Sequence, residues 1–550
     1  MAPRRSSFGP GLVLLLTLLM GGWFLQRGVA QDQSRPADSR LFQEVLDHIA
    51  DRYVEPVDRD ELYEKAIEEV IRHLGDPNTS LLGVEDYENF RIQTEGDYGG
   101  VGLEIVERDD FITVVGPLPG TPGARAGIRP GDRIIEVEGE STQGWSVQRA
   151  VQVLRGPAGD PVDILVERPG IASPMDFTLT RERIQLRSVS FSALLDDGVG
   201  YIPLGLFSET STEEVRAAAD SLRSEGARSL VLDLRGNPGG VLDQGVGIVD
   251  LFLERGAEVV ETRGQERNQN RTLRTSSEDR FPDIPLVVLV DRGSASASEI
   301  VAGALQDHDR ALVLGSSTFG KGSVQSLFSL SGGNVLKLTT ARWYTPQGRS
   351  IERTAEEGPA APDVDLSGNG DAYAISVTGQ YQAPPDTAGR STVTSVGGRT
   401  LYGGGGIVPD LWIPMDTLTT EEQSAVRAIF EEGGRYSVGL FNYAVEFLQR
   451  EGADNSGFRV TDEDIEALYE RLREEGLETD RDTFWTAERF VRYQLESQIA
   501  LQGWGEWEEF QRRLPHDAPL QRAIELLREA DSAADLFTLV SSTTQVGAGN

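Results

Sequence analysis

The run LVVLV at Leu286–Val290 constrains this 550-residue chain more than any other stretch. It is apolar without interruption, too short for a helix, and suited to a strand buried within a parallel sheet. Asp291-Arg-Gly293 then breaks it as a turn. Helical apolar spacing follows at once, at Ile300, Val301, Ala304 and Leu305. A second apolar run at 311–314 leads into the glycine-rich Gly315-Ser-Ser-Thr-Phe-Gly-Lys-Gly322. Extended patterns at 323–330 and 335–340 flank Ser331-Gly-Gly-Asn334, which reads as a hairpin turn.

Ser296 falls where the strand becomes the helix. A hydroxyl there stands over the sheet edge, and the next backbone N–H groups are unpaired and positively polarised. Ala297 N–H is a natural oxyanion donor. Ser296-Ala-Ser-Glu299 also reads as an ordinary capping box, and Ser294 and Ser298 are rival nucleophiles by the same reasoning.

Lys321 is the candidate base. A lysine that accepts a proton near pH 7 must be lowered by roughly 3 units from its reference value, about 4 kcal/mol, and desolvation is the usual cause. On a strand, Lys321, Ser323 and Gln325 face one side, so the glutamine can hold the amine. Gly315-x4-Gly320-Lys321 imitates a phosphate-binding loop. However, Gly322 stands where such a loop needs Ser or Thr, and no helical pattern follows. His308 lies twelve residues beyond Ser296, about 18 Å along the helix, and is too far to be its base.

GSASASEI (293–300) followed by TFGKGSVQ (318–325), with Lys321 twenty-five residues after Ser296, resembles the carboxyl-terminal processing (tail-specific) serine protease family. The resemblance implies a Ser/Lys dyad, with Ser296 as nucleophile, Lys321 as base and Gln325 as its orienting partner. It also implies a crotonase/ClpP-like α/β core and no metal or other cofactor. DLRGNPGG (233–240) is similar to a further motif of that family, in which the N–H of Gly239 or Gly240 would complete an oxyanion hole with Ala297. Asp233 and Arg235 either brace the site or form a buried structural pair.

The chain reads as a multidomain α+β protein. Residues 1–30 resemble a signal peptide or membrane anchor: Arg4 and Arg5, an apolar run over 12–25, and small residues at Gly28-Val-Ala30. The run is short of the roughly twenty residues of a spanning helix. Residues 36–95 form an N-terminal helical segment. Residues 96–186 alternate short strands and glycine turns. Their order, including Ala126-Gly-Ile-Arg-Pro-Gly-Asp132, resembles a PDZ domain, which captures a peptide C-terminus by adding it to a sheet edge. Gly100, Val101, Gly102 and Leu103 then correspond to the carboxylate-binding loop. Residues 187–415 are the α/β protease core, with an insertion at 353–402. Residues 416–540 are a helical C-terminal domain, a candidate homo-oligomer contact, and 541–550 a disordered tail.

The net charge of −36 argues against nucleic acid or an anionic membrane surface as main partner. The absence of cysteine excludes disulfides, thiol catalysis and zinc–thiolate sites. The expectation is an exported serine endopeptidase of the periplasm or outer face of the inner membrane. It would act on proteins with accessible C-terminal tails, with membrane attachment open through residues 12–25. The competing reading is a non-catalytic PDZ-type adaptor with a degenerate protease core.

Overall fold

The computed structural model describes residues 37–108, 110–353, 374–431, 434–451 and 455–547. The export segment read at residues 1–30 and the first part of the insertion lie outside them. The chain divides into two compact units, one made of Met1–Val84 with Gln325–Thr339, the other of Glu85–Val324 with Thr340–Asn550.

In the smaller unit, helices Ala37–Arg52 and Arg59–Arg72 precede the short strand Ser80–Leu82. Asp58 caps the second helix, its carboxylate accepting the N–H groups of Asp60 and Glu61 at 2.8 and 3.3 Å. The strand pairs antiparallel with the chain from Val335 to Lys337. Both helices carry exposed apolar side chains, among them Leu41, Phe42, Val45, Ile67 and Val70.

The larger unit is built on a six-stranded sheet. Val199–Pro203, Ser229–Asp233, Leu286–Val290, Leu312–Gly315 and Leu411–Trp412 run parallel in that order, with Ala193–Leu195 antiparallel at one edge. Leu411–Trp412 follows Gly406-Ile-Val-Pro-Asp410 directly, so that segment closes the core. Successive side chains of a strand face opposite ways. Leu286, Val288 and Val290 accordingly pack on one face with Ile248, Ile300, Val301 and Leu305, from helices Leu242–Asp250 and Ala297–Asp307. Val287 and Leu289 pack on the other face with Phe510, Leu520, Ile524 and Leu536. Helices Glu506–Arg513, Ala518–Glu529 and Ala533–Gly547 therefore form a layer of the core. This corrects the assignment of these helices to a separate C-terminal domain. A parallel sheet needs cover on both faces, and the end of the chain provides the second. The last helix also replaces the expected disordered tail up to Gly547.

Helices Thr420–Phe430, Arg435–Glu451, Asp462–Glu474, Arg481–Thr486 and Glu488–Trp504 form a second core, which also takes in Ile375, Val377 and Leu418. Tyr436 is buried in it with no hydrogen-bond partner for its hydroxyl, and burial alone pushes that hydroxyl far above the ordinary tyrosine range. A buried unpaired hydroxyl costs about 1–3 kcal/mol. Tyr436→Phe is expected to raise the thermal midpoint by a few degrees in a melting experiment, and a fall would contradict the unpaired hydroxyl.

Residues 103–180 form an antiparallel sheet with Leu103–Arg108 at its edge, and helix Val147–Leu154 contributes Ala150 and Leu154 to its core. Asp132, fully buried, receives Nε and Nη2 of Arg168 at 2.7 and 2.6 Å. The described part of the 353–402 insertion holds two short hairpins, Ala374–Ile375 with Tyr381–Gln382 and Thr392–Thr394 with Thr400–Tyr402.

Candidate active site

Three loops meet beyond the carboxyl ends of the parallel strands. They follow Ser229–Asp233, Leu286–Val290 and Leu312–Gly315, the edge where open α/β sheets place their sites.

The second loop carries the serines. Ser294 is fully buried and its hydroxyl donates to Leu234 O at 2.8 Å. Ser298 is equally buried and donates to Asn237 O at 2.9 Å. Ser296 is half-buried; its side chain has the capping-box placement towards Glu299 N–H, and its hydroxyl donates to no group among the described residues. Its backbone is held at φ 54°, ψ −112°. Positive φ is uncommon for a residue with a side chain and is a form of stored strain that concentrates at functional positions. His308 ends the helix and bonds Glu258 O through Nε2 at 2.7 Å, away from these loops.

The third loop carries Lys321, and Glu299 holds it. One carboxylate oxygen, Oε2, accepts Ser296 N–H at 2.8 Å and Lys321 N–H at 3.0 Å. The two backbone nitrogens are therefore within about 6 Å of each other, since both bond one atom. The other oxygen accepts Gly320 N–H at 2.7 Å and the Thr318 hydroxyl at 2.6 Å. Burial pushes the Glu299 carboxyl up from its ordinary value, and Thr318 with the three N–H groups pulls it partly back. The capping box read from sequence is thus a joint between two loops. From outside, Arg353 donates Nε to Phe319 O and Nη2 to Thr318 O at 2.8 and 3.2 Å, and Glu352 Oε2 accepts Gly322 N–H at 2.7 Å. Trp343 Nε1–H donates to Lys321 O at 3.1 Å.

The extended strand begins at Ser323, so Lys321 precedes it and the same-face argument does not reach the lysine. Gln325 donates its amide to Thr339 Oγ1 at 3.3 Å within the smaller unit.

The first loop carries the glycines. Gly239 has φ 93°, and a Cβ placed on it would lie 2.8 Å from Ser296 Cβ and 2.9 Å from Ala297 N. Its N–H donates to Asn237 Oδ1 at 2.8 Å. Gly239 O accepts Phe207 N–H, and Val241 N–H donates to Phe207 O, so the intervening Gly240 N–H faces away from Phe207. Asp233 and Arg235, left open as brace or structural pair, are buried together. Arg235 bonds Asp233 through Nε at 2.9 Å and Nη2 at 2.6 Å. Its remaining contacts go to Asp517, through Nη1 at 2.8 Å and Nη2 at 2.7 Å. Burial raises Asp233, but Arg235 beside it holds it below the ordinary carboxylate range. Sequence reasoning missed Asp517 and Asn237, and only the close spacing of Asp233 and Arg235 hinted at a partner.

In the β-rich region, the Val101 side chain belongs to the core, and the carbonyls of Val101 and Gly102 accept Gly123 and Leu118 N–H.

Residues 198–366 match the profile of peptidase family S41, and residues 113–168 that of the PDZ domain. The carboxy-terminal-processing protease of Bartonella bacilliformis is 38% identical over 315 residues, 56% of this chain and 72% of that one. The carboxyl-terminal-processing protease of Synechocystis sp. is 41% identical over 302 residues, 54% and 69% of the two chains. CtpA of Bacillus subtilis is 34% identical over 327 residues, 59% and 69%. The chain belongs to the carboxy-terminal-processing serine protease family, with an S41 core and a PDZ domain.

Proposed function

We propose that this protease works through a Ser296/Lys321 dyad. Ser296 Oγ attacks the scissile carbonyl while Lys321 takes its proton. Lys321 then protonates the leaving amine and activates the water that resolves the acyl-enzyme. The observation that carries this reading is the shared Glu299 oxygen, which ties the backbones of the two residues together. Ser294 and Ser298 spend their hydroxyls on carbonyl groups, which leaves Ser296 as the serine with a hydroxyl to use. Ala297 N–H, first in its helix, is one oxyanion donor. With Gly239 N–H committed to Asn237, Gly240 N–H is the second. Gln325 orients the lysine by family resemblance alone. The edge strand Leu103–Arg108 and the Gly100–Leu103 turn receive a substrate's C-terminal tail. The leader composition supports export.

The test is incubation of wild type, Ser296→Ala and Lys321→Ala, each starting at Gln31, with an unfolded protein bearing an apolar C-terminus. Cleavage by wild type alone is expected, each variant losing at least about a thousandfold. Comparable cleavage by either variant would overturn the dyad. Tail binding with no cleavage by any of the three would favour the adaptor reading.

A further inference from the structure

We propose that Asp517, from the C-terminal helical layer, is a positioning residue of the active site, holding the Arg235–Gly240 loop against the nucleophile through Arg235. This rests on the Ser296 reading above. Asp517 is 1% exposed and lies 282 residues from Arg235 in sequence. It caps helix Ala518–Glu529, accepting Leu520 N–H at 3.1 Å on Oδ1, and presents both oxygens to the guanidinium. The pairing is the planar two-oxygen geometry in which arginine–carboxylate bonds are strongest.

From Arg235 the constraint runs along contiguous bonds. Gly236 N–H donates to Asp291 Oδ1 at 2.8 Å. Asn237 O accepts Ala295 N–H at 3.0 Å and the Ser298 hydroxyl at 2.9 Å, one on each side of Ser296. Asn237 Oδ1 holds Gly239, where an added Cβ would meet Ser296 Cβ at 2.8 Å. A shift of Arg235 therefore moves the backbone that frames the oxyanion.

The cluster is divided between the two layers. Asp233 ends a central strand and Arg235 opens the loop after it, while Asp517 and the nearby Arg513 come from the C-terminal helical layer. Tyr201 adds a hydroxyl bond to Asp233 Oδ2 at 2.7 Å, and its ring stacks on Phe510 of the same layer. The layer brings a carboxylate to Arg235 and, in Arg513, a further positive charge towards Asp233. The helices that cover the sheet thus also supply part of the site's wiring.

The experiment measures kcat, KM and thermal midpoint for full-length Asp517→Asn and Asp517→Ala. Leu468→Ala, in the separate helical core, serves as a destabilised control. Asparagine keeps one oxygen, which can accept Leu520 N–H and Arg235 Nη1–H as Oδ1 of Asp517 does, but it turns an NH2 donor towards Arg235 Nη2 and loses the charge. The expected result is a fall in kcat of about tenfold for asparagine and about a hundredfold for alanine, with KM within about twofold. Leu468→Ala should keep wild-type kcat below its own midpoint. Wild-type kcat in folded Asp517→Ala would overturn the proposal. Failure of both Asp517 variants to fold would overturn it too, marking the residue as structural. Failure of the underlying reading looks different, because Ser296→Ala would then cleave as wild type does.

Discussion

Gly239→Ala is expected to abolish measurable proteolysis and to lower the thermal midpoint. The new methyl would sit 2.7 Å from Ala295 O, 2.8 Å from Ser296 Cβ and 2.9 Å from Ala297 N. Two of these are backbone atoms of the nucleophile turn, so they cannot swing aside as a side chain would. Relief must come from moving that turn or the glycine loop, and either displaces Ser296 from its oxyanion donors. The φ of 93° adds strain of about 1–3 kcal/mol, and overpacking adds about as much again. Gly226→Ala separates the two effects. Gly226 has φ 108°, and an added methyl there would meet nothing within 4 Å, so it carries the strain without the clash and should retain activity. Turnover and melting of both variants check this. Activity of Gly239→Ala within about tenfold of wild type would contradict the close approach, since a misplacement near 1 Å costs about a hundredfold.

Glu299→Ala is expected to cost both activity and several kcal/mol of stability. The carboxylate is fully buried and receives four donors: the N–H groups of Ser296, Gly320 and Lys321 and the Thr318 hydroxyl. Alanine would leave all four unpaired, each at about 1–3 kcal/mol where water does not enter. Glu299→Gln keeps the volume and one acceptor oxygen, but turns an amide NH2 towards N–H donors. Its stability should fall between wild type and alanine, and its activity should fall with it: if the oxygen stays on Ser296 and Lys321 N–H, the NH2 opposes Gly320 N–H beside the lysine and shifts that loop. Denaturant unfolding with a cleavage assay reads both. Full activity in Glu299→Gln would show that the joint is dispensable.

Local chemistry wrote much of this protein in a readable form. LVVLV, the Asp-Arg-Gly turn and the spacing from Ile300 to Leu305 depend on neighbours a few residues away, and strand, turn and helix lie where that spacing puts them. The glycine-rich loop before Ser323, the turn at Ser331–Gly333 and the β-rich region from 96 to 186 were legible for the same reason. Three serines within five residues were not separable, because their local chemistry is identical. What distinguishes them is burial and which distant carbonyl, Leu234 or Asn237, takes the hydroxyl.

The end of the chain was harder to place for a related reason. Amphipathic periodicity shows that a helix has an apolar face, but not what that face meets. Residues 506–547 carry the same helical pattern as the C-terminal helices before them, yet they cover the central sheet. Sequence by itself determined the elements, the family motifs and the chemistry available at Ser296 and Lys321. Tertiary structure alone decided that Glu299 joins their loops and that Asp517 reaches Arg235. Those contacts depend on where separate segments pack, and no local pattern records the partner of a buried charge.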